Sequence, residues 1–174
     1  MCGIAGLIHR GKSSNVGEEL QNMLQALKHR GPDSTGYALY ANNDGQNFIL
    51  RFKVGENVGE GSTSVNEDES VYNERKKIVD KKLSELGAPI VKEEKLTPYS
   101  YRYEIKYDKD LMEFSKAVES IENVEILSIG KSLELIKDLG DANVVSERYG
   151  LNKVQGTHGI GHARMATESG VDIK

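Results

Sequence analysis

A single cysteine in 174 residues leaves no partner for an internal disulfide. Such cysteine usage suits a reducing compartment, and the chain is expected to be cytoplasmic. No apolar stretch approaches the ~20 residues that a membrane-spanning helix needs. The opening Met1 to Arg10 is too short and too glycine-rich for the apolar part of a secretory leader. Positive charge is also scarce: 23 Lys and Arg stand against 27 Asp and Glu, a net charge of −4. That argues against a protein held to nucleic acid or anionic lipid by bulk charge. There is no internal repeat, no low-complexity tract, no cysteine cluster and no glycine-rich phosphate loop. What is present, 37% hydrophobic and 29% charged residues, suffices for one folded domain with a small insert.

Local patterns predict the elements. Gly3-Ile4-Ala5-Gly6-Leu7-Ile8 reads as a short buried strand. Asn15 caps a helix with Glu18 as its capping-box partner, and Leu20, Met23, Leu24 and Leu27 fall on one apolar face. Lys28, His29 and Arg30 sit near its C-terminus, where the macrodipole favours cations, and Gly31-Pro32 ends it. Residues 36–41 and 46–54 read as a hairpin turning at Asn42-Asn43-Asp44-Gly45, and 55–70 as a loop.

Residues 71–141 change character and are expected to form an inserted α/β subdomain. Glu74 to Leu86 reads as a charged helix and Ile90-Val91 as a strand. Tyr99, Tyr101, Tyr103, Ile105 and Tyr107 alternate with polar residues, the pattern of a strand with one buried face. Leu111 to Ile121 reads as a helix, 124–129 as a strand and 133–139 as a helix ended by Gly140. From His158 to Thr167 the chain is glycine-rich and then strand-like.

The position of Cys2 sets it apart. Met followed by a small residue is the usual setting for removal of the initiator. The chain would then begin with a residue carrying both an α-amine, pKa ~8, and a thiol, pKa ~8.5. The two make a self-contained base and nucleophile, with no His or Asp required. A lone cysteine is more often a small buried hydrophobe, so Met-Cys-Gly by itself does not decide the matter.

Three stretches taken in order do more. Met1-Cys2-Gly3-Ile4-Ala5-Gly6 opens the chain, His29-Arg30-Gly31-Pro32-Asp33-Ser34-Thr35-Gly36 follows the first helix, and Gly161-His162-Ala163-Arg164-Met165-Ala166-Thr167 comes near the end. Together they resemble the class II glutamine amidotransferases, which are N-terminal-nucleophile hydrolases. Arg164-Met165-Ala166-Thr167-Glu168-Ser169 is most similar to the stand-alone amidotransferase subunits of the glutamate synthase group. The His29 to Asp33 stretch also resembles asparagine synthetase, which ranks second with the hexosamine-phosphate synthases.

The resemblance implies an α+β fold, the αββα sandwich of those hydrolases, with residues 2–60 and 150–174 as the front part of the core and 71–141 as the insert. It implies that Cys2 is the nucleophile, that Arg164 holds the substrate α-carboxylate, and that Thr167 lies beside the bound L-glutamine. A guanidinium fork suits that carboxylate; Thr167 can equally be an ordinary strand threonine. Arg30, Gly31 and Asp33 are expected to build the wall of the site. His158 and His162 are four residues apart, but on a strand and without a third ligand nearby, so no metal is expected.

The implied reaction is hydrolysis of glutamine to glutamate and ammonia, the ammonia passing to a synthase. In the glutamate synthase group that partner carries FMN and iron–sulfur clusters, so no cofactor is expected on this chain. The family supplies its oxyanion donors from an Asn-Gly pair beyond the arginine strand, and this sequence contains no Asn-Gly dipeptide. The chain therefore reads as a front half. Either the gene product is split or truncated, or a second chain completes the site; the competing reading is a non-catalytic module that docks on a synthase.

Overall fold

The computed structural model describes residues 2–43, 45–56 and 67–165. The chain divides into two compact units, each with its own four-stranded antiparallel sheet. No helix among the described residues is long and apolar enough to cross a membrane.

The first unit contains β1 (Gly3–Ile8), α1 (Val16–Ala26), β2 (Ser34–Ala41), β7 (Leu133–Leu139), α4 (Ala142–Tyr149) and β8 (Gly156–Arg164). Its sheet runs β1-β8-β2-β7. The start of α1 follows from its sequence: the Asn15 side chain accepts from the Glu18 N–H at 3.2 Å, while its own amide donates to the Glu18 carboxylate at 2.9 Å. The buried face of α1 is Val16, Gly17, Leu20 and Leu24. Met23, expected on that face, is 40% exposed.

Glycine lets the helix lie close to β8. A Cβ on Gly161 would fall 2.3 Å from Leu24 Cδ1, and one on Gly17 would fall 1.8 Å from the Leu151 carbonyl oxygen. Helix α4 follows the Asp141 cap, whose carboxylate accepts from the Val144 N–H, and ends at Gly150 in the left-handed region. Gln21 ties α1 to α4, donating to Asn143 at 2.9 Å and accepting from the Ser146 hydroxyl at 2.7 Å.

The second unit contains β3 (Phe48–Lys53), α2 (Glu69–Leu86), β4 (Ile90–Thr97), β5 (Ser100–Ile105), α3 (Leu111–Glu119) and β6 (Glu125–Gly130). The element order βαββαβ and the sheet order β4-β5-β3-β6 are those of a split βαβ, or ferredoxin-like, arrangement. Leu50, Phe52, Tyr101, Tyr103 and Ile105 of the sheet bury against Val79 and Leu83 of α2 and Phe114 and Val118 of α3. The alternating tyrosines are thus packing groups. Phe52 stacks on Tyr101 at 5.5 Å and meets Tyr103 edge-on at 5.0 Å, and the Tyr103 hydroxyl donates to Asp80 at 2.8 Å.

Two expectations are corrected. Residues 36–41 and 46–54 are strands but not a hairpin, because β2 pairs with β7 and β8 while β3 pairs with β5 and β6. The turn residues between them carry the chain from one unit to the other. Residues 133–139, expected as a helix, are strand β7. Its inward residues Glu134, Ile136 and Asp138 include two carboxylates, so the strand lacks the usual apolar alternation. The chain returns beside the point it left: Tyr40 faces Leu133 in the first sheet, and Ile49 faces Gly130 in the second.

Candidate active site

Three sequence stretches meet at one end of the first sheet. Gly3 of β1 pairs with Ala163 of β8, and Ser34 of β2 pairs with Arg164. Antiparallel register therefore sets Cys2 and Arg164 one step beyond the Gly3–Ala163 pair, on neighbouring strands. Cys2 is exposed. Arg164 is also exposed and leaves β8 on the same side as Ile160 and His162.

The turn after α1 closes this end. Lys28 to Arg30 form a short 3-10 helix and Gly31 follows it. A Cβ on Gly31 would lie 2.5 Å from the Arg164 carbonyl carbon and 2.6 Å from the Ala163 oxygen, so the turn rests on the backbone of β8. The Asp33 N–H donates to the Arg164 carbonyl at 3.2 Å, and the Asp33 carbonyl accepts from Gly140 N–H at 2.9 Å. Gly3 is hemmed in by the same segment, its Cβ direction meeting Leu27 Cβ at 3.2 Å and Arg30 Cβ at 3.7 Å. Gly31 and Asp33, expected as wall residues, thus touch the Arg164 backbone directly. Thr167 lies outside the described residues.

The histidines of β8 have their own surroundings. His158 stacks on Tyr40 with ring centroids 3.8 Å apart, and the Thr157 hydroxyl lies 2.8 Å from its Nδ1. His162 sits between Ile4 and Gly36 in register. Among the described residues there is no group of three His, Cys, Asp or Glu able to hold a metal ion.

Among the described residues α1 packs on Gly159 and Gly161 of β8 and α4 accepts from Tyr37 of β2, on one face of the sheet; the opposite face, which also carries His162 and Arg164, has exposed aliphatic side chains. Ile4 is 73% exposed, Ile8 70% and Ile160 58%. They form a patch, because Gly6 and Ala38 flank Ile160 in register and Leu135 follows Ala38. Exposed aliphatic side chains gathered in this way mark a surface built to be covered.

Sequence reasoning missed the group that braces the other edge. Asp138 on β7 is fully buried and accepts from its neighbour Leu139 N–H at 2.8 Å, from Arg148 at 3.0 Å and from the Tyr149 hydroxyl at 2.8 Å. Asp141 followed by an eight-residue polar–apolar run and Gly150 was the available signal for the helix that supplies two of those donors.

Residues 1–49 match a family model, and they hold both Cys2 and the turn that rests on Arg164. The match is to a glutamine amidotransferase domain. Nearly the whole chain is also similar to two longer proteins. A protein of Methanothermobacter thermautotrophicus named "Putative glutamine amidotransferase" is 33% identical over 183 residues, which cover 99% of this chain and 54% of that protein. The glutamine amidotransferase-like protein GlxB of Rhizobium meliloti is 30% identical over 177 residues, 98% of this chain and 52% of that protein. The chain spans about half the length of the curated relatives it matches.

Proposed function

We propose that this chain is the nucleophile-bearing part of a class II glutamine amidotransferase, an N-terminal-nucleophile hydrolase that hydrolyses L-glutamine to glutamate and ammonia. The observation that carries the proposal is the meeting of Cys2, the His29–Asp33 turn and Arg164 at one sheet end.

In the proposed reaction Met1 is removed and the free α-amine of Cys2 takes the thiol proton, directly or through a water. The sulfur attacks the side-chain amide carbon, the C–N bond breaks, and the departing nitrogen receives the proton and leaves as ammonia. Water then cleaves the thioester, returning the thiol and releasing glutamate. Arg164 holds the α-carboxylate by a charge-assisted fork, and Thr167 contacts the bound glutamine.

Donors for the oxyanion come from outside the 174 residues, since no Asn-Gly pair is present. We propose that they arrive with a second sheet that covers Ile4, Ile8 and Ile160 and makes the αββα sandwich. The ammonia acceptor is proposed to be a cytoplasmic synthase of the glutamate synthase type. By the same resemblance its FMN and iron–sulfur clusters would belong to that partner; one cysteine cannot supply the four thiolates that an iron–sulfur cluster takes.

A non-catalytic docking module is the second reading, favoured by the missing oxyanion pair. Incubation of the protein purified from its native source, with any chain that completes its site, with 6-diazo-5-oxo-L-norleucine followed by peptide mass spectrometry separates the two. A single adduct on the Cys2 thiol, absent from Cys2→Ala, supports the enzyme. An unmodified chain supports the module.

A further inference from the structure

We propose that Gly31 is a positioning residue: it allows the turn after α1 to latch onto the end of β8, and the latch sets where Arg164 stands relative to Cys2. The proposal rests on the reading of Cys2 as nucleophile and Arg164 as carboxylate clamp.

The need for glycine here is purely steric. Gly31 has φ −171°, extended backbone that any residue adopts. What a side chain cannot do is share space with Arg164 C at 2.5 Å, Ala163 C at 2.6 Å and Ala163 O at 2.6 Å. All three are backbone atoms, so no rotamer relieves the clash. Carbon atoms pack at about 3.5–4.0 Å, so even an alanine displaces the turn or the strand end by about 1 Å.

The displacement falls on the clamp. Arg164 is held on its β2 flank by two consecutive residues: Asp33 N–H donates to its carbonyl, and Ser34 pairs with it in register. Asp33 is anchored in turn by Gly140, and the Thr35 hydroxyl donates to the Gly140 carbonyl at 2.8 Å. Cys2 lies on the other flank of β8, ordered through Gly3–Ala163. A shift at Gly31 therefore moves Arg164 against Cys2 without touching the thiol. A displacement of about 1 Å in a positioned group costs on the order of a hundredfold in rate.

Two probes read the two groups separately in the protein purified together with any chain that completes its site. 6-Diazo-5-oxo-L-norleucine carries the α-carboxylate that Arg164 would hold; iodoacetamide carries none and reports on the Cys2 thiol alone. Gly31→Ala is expected to slow Cys2 labelling by the diazo compound about ten- to a hundredfold and to leave iodoacetamide labelling within about twofold of the parent. Arg164→Ala should reproduce that split, and the double variant should be no worse than either. Gly156→Ala is the control. Its Cβ meets the Tyr40 oxygen at 2.1 Å, a closer clash than that at Gly31 but at the far end of β8, and the ratio of the two rates should not change.

Equal diazo labelling of parent and Gly31→Ala, or equal slowing by both probes, overturns the proposal. A parent chain that iodoacetamide labels and the diazo compound does not overturns the underlying reading as well. If Gly31→Ala loses its circular dichroism, Asp33→Pro, which deletes the N–H donated to Arg164, carries the same expectation and the same refutation.

Discussion

The guanidinium of Arg148 donates to the carboxylate of Asp138 across 3.0 Å, and that carboxylate has no exposure to solvent. The pair joins α4 to β7, the edge strand of the first sheet. Truncation of a buried ion-pair partner typically costs about 3–5 kcal/mol, because the remaining charge loses its compensation. Arg148 keeps some solvent contact, so the lower end applies. Asp138→Ala is expected to lower unfolding free energy by about 3 kcal/mol, read from the urea midpoint. Arg148→Met leaves the fully buried carboxylate without its cation and should cost more than Asp138→Ala; the reverse order would show that the Tyr149 hydroxyl and Leu139 N–H suffice to compensate the charge.

Alkaline stability should be governed by buried tyrosines. Burial, reinforced by the Asp141 carboxylate, pushes the Tyr37 hydroxyl far above its ordinary value of 10.0, and it donates to the Ala142 carbonyl at 2.8 Å. Tyr103 is raised by burial and by its hydrogen bond to Asp80. A raised folded-state pKa means that the folded chain keeps a proton the unfolded chain gives up. The contribution is therefore complete below pH 10 and falls as pH rises above it. Phenolate absorbance from these residues should appear only with unfolding. Tyr37→Phe should flatten the fall above pH 10 while costing about 1 kcal/mol at neutral pH.

Gly17 marks the tightest approach of α1 to its surroundings. A methyl group there meets the Leu151 carbonyl oxygen at 1.8 Å, and backbone cannot turn aside as a side chain can. Gly17→Ala is expected to destabilise by about 3 kcal/mol, the upper part of the usual overpacking range, despite the better helix propensity of alanine. Thermal and urea unfolding check this.

Cys2 should matter for chemistry and not for folding. Its exposed position before β1 predicts that Cys2→Ala changes stability by less than about 0.5 kcal/mol. The same variant should lose all labelling by the diazo compound. A large loss of stability would mean that the thiol is a packing group.

Legibility followed the range of the interactions. The Asn15 cap and the tyrosine alternation of β5 are local devices, and both were readable from neighbouring residues. The hairpin expectation at 36–54 failed although its turn chemistry was sound, because strand partners are chosen by distant residues that a turn does not specify. Strand β7 was misread for a different reason. Leu133, Ile136 and Leu139 recur at helical spacing, whereas the strand buries Glu134 and Asp138, and the place of Asp138 inside depends on the donors Arg148 and Tyr149. At the candidate site, the order of the three motifs suggested that they belong together. The contact of Gly31 with the Arg164 backbone could not have been read from either segment alone.

The pairing of Tyr40 with Leu133, and of Ala41 N–H with the Ser132 carbonyl, has a consequence for how such a chain can change over time. Removing everything between Asn42 and Ser132 leaves two strand ends already in register, needing only a tight connection to become an ordinary hairpin. The βαββαβ segment is thus a cassette hung on a hairpin tip. Relatives could enlarge, exchange or discard it while the strands that carry Cys2 and Arg164 keep their alignment.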